Sequence, residues 1–138
     1  MITFKDSDRI LIIGASGFIG RHLVKRCPKD TRFVTCIGFS KNLKDFDTIH
    51  VDIKNNNKLR DVLNKKSFDY VFNLGGYIDH TQYFKGGRNV IETHFTGLLN
   101  VLDSIDLKSL KGFVQIGSSD EYGNAPSPQK EIMRESPI

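Results

Sequence analysis

The stretch Ile10-Leu11-Ile12-Ile13-Gly14-Ala15-Ser16-Gly17-Phe18-Ile19-Gly20 constrains the fold more than any other part of the chain. Four consecutive apolar residues, three of them β-branched Ile, read as a strand buried on both faces. The glycines at 14, 17 and 20 then have the spacing of a tight turn that enters a helix. Gly14 permits the turn, Gly17 lets the backbone approach a pyrophosphate with no Cβ in the way, and Gly20 lets the helix pack closely on the strand. Ser16, Phe18 and Ile19 supply amides between them, and free N–H groups at a helix start face an anion. A glycine-rich strand–helix turn without a ligand is the plain alternative, and the buried strand before and helical pattern after argue against it.

A chain of 138 residues suits one domain, and 38% hydrophobic with 26% charged residues is a globular composition. The net charge of +4 raises the question of nucleic acid. Lysines and acids are interspersed, as from Lys41 to Asp47 and from Lys54 to Lys66, and no aromatic-interleaved basic patch occurs, so no nucleic-acid partner is expected. The excess charge instead favours phosphate-bearing ligands. No apolar run approaches the roughly eighteen residues of a membrane span, and no signal-peptide pattern opens the chain, so a soluble cytoplasmic protein without a membrane partner is expected. Cys27 and Cys36 belong to no CxxC pair or His/Cys cluster and read as core residues, with no metal site.

After the turn, Ile19, Leu23 and Cys27 form one stripe of a helix that Pro28 stops. Arg32 to Ile37 alternates into a second strand. Just past such a strand an acid binds the ribose 2′-OH of NAD, whereas a basic or hydroxyl residue accommodates the 2′-phosphate of NADP. The positions read Gly38-Phe39-Ser40-Lys41. The missing carboxylate tilts the choice toward NADP over NAD, with Ser40 and Lys41 as phosphate contacts, against an ordinary exposed loop lysine. Thr48 to Val51 is a third strand delivering Asp52, followed by Ile53. The Asp52 carboxylate either accepts from an adenine amino group or serves as a cap or turn acid.

Leu59, Val62 and Leu63 mark the next helical face. Tyr70 to Leu74 is a fourth strand running into Gly75-Gly76, a second place where backbone can approach a ligand. In the polar loop that follows, Asp79 and His80 are either substrate contacts or surface residues. From Val90 to Ile105 apolar residues recur at three- and four-residue steps, a long amphipathic helix. Gly97 within it implies close packing, and His94 is either a core histidine or an orienting hydrogen-bond donor. Gly112 to Gly117 is a fifth strand, ending in Ser118-Ser119-Asp120-Glu121-Tyr122-Gly123. Ser118, Asp120 and Glu121 are the groups that proton transfer at a bound alcohol needs, or else a capped acidic turn.

With these pieces in order, the chain resembles the extended short-chain dehydrogenase/reductase family of nucleotide-sugar epimerases, dehydratases and reductases. The likeness rests on Gly14-xx-Gly17-xx-Gly20, Val51-Asp52-Ile53, Asn73-Leu74-Gly75-Gly76 and His94-Phe95-Thr96-Gly97-Leu98-Leu99-Asn100, in which His94 stands where the family has Asn. The resemblance implies a Rossmann-type doubly wound parallel α/β sheet, truncated after the fifth strand, that binds NAD or NADP and acts by hydride transfer at a sugar carbon. Ser118 matches the catalytic Ser or Thr. The family's catalytic Tyr-xxx-Lys falls beyond Ile138, so residues 1–138 are expected to be an incomplete dinucleotide-binding domain lacking general base and substrate domain, which alone binds cofactor weakly or not at all and does not turn over. The full-length enzyme implied is a homodimer with a nucleotide-sugar substrate. Dehydratases of the family carry Asp-Glu or Ser-Glu where Ser119 and Asp120 stand, which puts epimerase or reductase ahead of dehydratase. The alternative is a stand-alone, non-catalytic dinucleotide-binding or sensing protein.

Overall fold

Five short apolar runs become the strands of one parallel sheet: β1 Ile10–Ile13, β2 Val34–Gly38, β3 Thr48–His50, β4 Tyr70–Asn73 and β5 Gly112–Gln115. Their spatial order is β3-β2-β1-β4-β5, in a computed structural model that describes residues 3–28, 30–38, 43, 45–46, 48–79 and 81–136. This is the Rossmann-type, doubly wound order. The central strand is buried on both faces as its composition requires: Leu11 and Ile13 join one core cluster with Leu59, Val71 and Val101, while Ile10 and Ile12 join another with Val24, Cys36 and Phe72. Each such side chain contributes roughly 1.5–3 kcal/mol of transfer free energy.

Helices cover the sheet: α1 Phe18–Val24, α2 Asn56–Leu63, α3 Arg88–Ile91 and α4 Gly97–Ser104. The chain runs outward from β1 to β3 on one side and from β4 to β5 on the other. The order therefore reverses between β1 and β4, and the crevice at their carboxyl ends is where open sheets of this kind hold ligands. Strand β3 stops at His50, one residue before the expected Val51, and β5 stops at Gln115 rather than Gly117. The last ladder bond beyond β5 runs from the Ile116 amide to Asn73 O at 3.0 Å, after which Ser118 caps a 3-10 turn over Ser119–Tyr122. Helix α1 likewise ends at Val24 and continues through Cys27 in tighter turns.

The single helix expected from Val90 to Ile105 is α3 and α4 joined by a π-helical turn, Glu92–Thr96. The Glu92 amide is shared between Arg88 O and Asn89 O, the Thr93 hydroxyl donates to Asn89 O at 2.8 Å, and the Gly97 amide reaches back five residues to Glu92 O. A hydroxyl competing for a helix carbonyl is one route to such a widened turn. Gly97 has the close-packing role expected of it: a Cβ there would lie 2.7 Å from Ile53 Cδ1. On the outer face Ile91, Phe95 and Leu99 are exposed at successive fourth positions.

The amino-terminal rim of the sheet is held by charge. Lys111 Nζ lies 2.8 Å from Asp8 Oδ1 and 3.2 Å from Asp69 Oδ1, and Arg9 Nε donates to Asp69 Oδ2 at 3.1 Å. These residues immediately precede β5, β1 and β4. The Arg9 amide, the Arg9 side chain and Lys111 together hold the Asp69 carboxyl down at about 2, while Lys111 and the Lys5 amide lower that of Asp8. Among the described residues no helix is long and apolar enough to cross a membrane, and no cluster of His, Cys, Asp and Glu is arranged to hold a metal.

Candidate cofactor site

Gly14 has φ +77, and both its amide and that of Ala15 donate to Ile37 O, at 2.9 and 3.2 Å, which ties the turn to the end of β2. A Cβ on Gly14 would lie 2.7 Å from Leu74 O, and one on Gly20 would lie 2.4 Å from Gly14 O. The fold itself requires both glycines. Gly17 is different: its φ is −71, and a Cβ there would meet only Gly14 O, at 3.2 Å. Its other side is open, at the start of α1. Among the described residues no backbone carbonyl takes up the amides of Ser16, Phe18 or Ile19, so donors converge where the chain leaves room for an acceptor.

That space is part of a cleft of about 410 Å³. It runs from Gly14, Ser16 and Gly17 past Ile37 and Gly38 to Val51, Asp52, Ile53 and Lys54, with Leu74, Gly75, Gly76 and Tyr77 on the β4 side and Asn89 and Thr93 over it. Of the residues proposed for the cofactor, Gly14, Ser16, Gly17, Asp52, Ile53, Leu74, Gly75 and Gly76 are brought together here. The Phe18 and Ile19 side chains point to solvent, and Gly20 is buried beneath the turn. Ser40, Lys41 and His80 lie outside the described residues.

Asp52 is both a turn acid and a cleft residue. Its Oδ1 accepts from the Lys54 amide at 2.9 Å and its carbonyl from the Asn55 amide at 2.9 Å, while the cap of α2 is Asn55, which accepts from Lys58 N at 3.1 Å. Buried Asn100 fixes this loop from α4 by donating to Ile53 O at 2.9 Å and Lys54 O at 3.1 Å. Lys54 then reaches across the cleft, its Nζ donating to Asn89 Oδ1 and lying 3.8 Å from Asp52 Oδ2. Sequence reasoning did not single out Lys54, Tyr77, Asn89 or Thr93. The i, i+4 spacing of Asn89 and Thr93 was the available signal.

At the end of β4, Asn73 Oδ1 accepts from the Gly75 amide at 3.3 Å, and Nδ2 donates to Gln115 Oε1 at 2.8 Å. The half-buried His94 ring packs against Gly76, with Nε2 3.4 Å from Tyr77 O. Ser118 lies past β5 on the same carboxyl rim, but Ser118, Asp120 and Glu121 do not line the cleft. They form a capping box: Ser118 Oγ accepts from the Asp120 amide at 3.2 Å, and the Ser118 amide donates to Glu121 Oε1 at 2.8 Å.

A five-stranded parallel sheet with a glycine turn at its switch point and a cleft along its carboxyl rim places the chain in the Rossmann-type, doubly wound α/β class. Within that class, residues 10–138 match the NAD dependent epimerase/dehydratase family, and the chain belongs to it. Protein CapI of Staphylococcus aureus is 25% identical over 130 residues, spanning 83% of this chain and 39% of CapI. The ADP-L-glycero-D-manno-heptose-6-epimerase of Helicobacter pylori superposes with a TM-score of 0.71 at 25% identity, covering 99% of this chain and 48% of the epimerase. MoeE5, solved in complex with UDP-glucuronic acid and NAD, shares the fold at a TM-score of 0.73 and 23% identity, over 94% of this chain and 43% of its own. The chain thus spans less than half the length of each.

Proposed function

We infer that the cleft holds NAD or NADP and that the domain is the cofactor half of an enzyme acting on a nucleotide sugar by hydride transfer at a sugar carbon. The observation that carries this reading is Gly17: a Cβ there would meet only one protein atom, at 3.2 Å, on a turn whose neighbouring amides are unpaired by backbone. A glycine the fold does not demand fits a backbone left bare for a pyrophosphate. When bound, nicotinamide supplies a site that accepts or returns a hydride. The chain's own residues bind and orient. The amides of Ser16, Phe18 and Ile19 take the diphosphate, Asp52 accepts from the adenine amino group, and Gly75 and Gly76 admit the dinucleotide along β4. Ser40 and Lys41 take a 2′-phosphate, favouring NADP.

At the far end of the same rim, Ser118 hydrogen-bonds the reacting sugar oxygen. The Glu121 carboxylate is tied to the Ser118 amide, and Ser119-Asp120 in place of the Asp-Glu or Ser-Glu of a dehydratase, with Asp reaching roughly one methylene less far than Glu, supports an epimerase or reductase over a dehydratase. The exposed Ile91, Phe95 and Leu99 stripe supports a homodimer joined through that helix.

The test is calorimetric titration of the full-length protein with NAD and NADP. Binding of either in the micromolar range is expected, weaker by about tenfold for NADP in Lys41→Ala, the order of one charge-assisted contact. Absence of binding to both overturns the cofactor reading, and an unchanged NADP affinity in Lys41→Ala overturns the 2′-phosphate assignment.

A further inference from the structure

The geometry points to Asn89 as a specificity-determining residue: by holding the Lys54 ammonium on α3 it leaves Asp52 to read the base edge, so the site takes a 6-aminopurine and refuses a 6-oxopurine. This rests on the dinucleotide reading above. The Lys54 backbone is fixed by Asn100, which donates to Ile53 O at 2.9 Å and to Lys54 O at 3.1 Å. Its four-carbon stem is not fixed in that way. The ammonium is held instead by Asn89 Oδ1, contributed from 35 residues further along the chain, and stands 3.8 Å from Asp52 Oδ2. All three side chains line the cleft.

Two opposite readers of a purine edge therefore share one wall. Adenine presents an N–H donor at its 6-position, and hypoxanthine presents a carbonyl acceptor there. A carboxylate accepts from the first and repels the second, and an ammonium does the reverse. Asp52 Oδ1 is occupied by the Lys54 amide at 2.9 Å, so a ligand donor would meet Oδ2, which the Lys54 ammonium faces from 3.8 Å while Asn89 holds it. Removing the Asn89 acceptor releases the ammonium to swing toward the base, where it can donate to a 6-carbonyl.

The experiment measures calorimetric affinities of NAD, NADP and their hypoxanthine counterparts for the full-length wild-type protein, Asn89→Leu, Lys54→Met and the double variant. The wild type is expected to prefer the adenine forms by about tenfold or more, the worth of one hydrogen bond to a charged group. Asn89→Leu loses most of that preference because the hypoxanthine forms bind better, and Lys54→Met keeps it. The double variant regains it, since the released ammonium is gone. A helix merely loosened by the substitution would weaken both forms equally and would not be rescued. Asn89→Ala, which removes the acceptor with less added bulk, gives the same expected pattern and covers a failure of Asn89→Leu to fold. Preference intact in the Asn89 variants, or still lost in the double variant, overturns the proposal. So does equal binding of adenine and hypoxanthine forms by the wild type, which leaves the cofactor reading standing, whereas no binding of any of the four overturns that reading itself.

Discussion

The His94 ring stands where a side chain on Gly76 would have to be: a Cβ built on Gly76 lies 2.9 Å from His94 Cε1. This contact sets the approach of α3 and the π-helical turn to the loop after β4. Gly76→Ala is expected to destabilise the chain by about 0.5–1.5 kcal/mol, the cost of turning the half-buried His94 ring out of its rotamer. Combining it with His94→Ala should recover most of that loss, a coupling visible in urea unfolding midpoints. Strictly additive effects would mean that the two residues do not share that space.

The glycines of the first turn separate folding from binding. Gly20→Ala places a Cβ 2.4 Å from Gly14 O and 2.6 Å from Ala15 O. It is expected to remove about 3 kcal/mol or more of stability, because rigid backbone must move. Gly17→Ala meets a single atom at 3.2 Å and keeps an ordinary φ. Its melting temperature should stay within a few degrees of wild type while dinucleotide affinity falls by about tenfold or more. Thermal unfolding and NAD(P) titration on the two variants check this, and equal losses of stability in both would refute the distinction.

Acid should act through the amino-terminal rim. The Asp69 carboxyl titrates at about 2 in the folded chain against an ordinary 3.8, chiefly because the Arg9 amide donates to it. A folded value below the unfolded one means the stabilisation is fully present above pH 4 or so and is lost as pH falls toward 2. Its size is about 2 kcal/mol. Asp69→Asn should flatten the acid limb of stability against pH in chemical denaturation, and an acid limb of undiminished slope would assign the effect elsewhere.

Burial pushes the Cys36 thiol up to about 11, and burial with the nearby Cys36 pushes that of Cys27 up to about 12. Thiolate is the reactive form. Both cysteines should therefore resist a thiol reagent at pH 8 in the native chain and react within minutes once urea unfolds it. Rapid native labelling of either, followed by absorbance, would contradict this.

What could be read in advance followed from local chemistry. A strand buried on both faces must be apolar without interruption, so Ile10 to Ile13 announced the centre of a parallel sheet, and a turn that follows it closely must be glycine. The Ser118 and Glu121 pairing was legible as an S-x-x-E cap, the plainer of the two readings of that turn. The bridge from Lys54 to Asn89 and the grip of Asn100 on the Ile53 carbonyl were not, because partners 35 and 47 residues apart leave no periodic trace. The π-helical turn was hidden for a related reason: apolar residues at three- and four-residue steps look alike whether or not one turn is wider.

The charged residues Asp8, Arg9, Asp69 and Lys111 sit at one rim of the sheet, and the glycine turn and cleft at the other. Heat or acid tolerance can thus be selected at the foundation without touching ligand chemistry, and the ligand repertoire can drift at the opposite edge without loosening the footing.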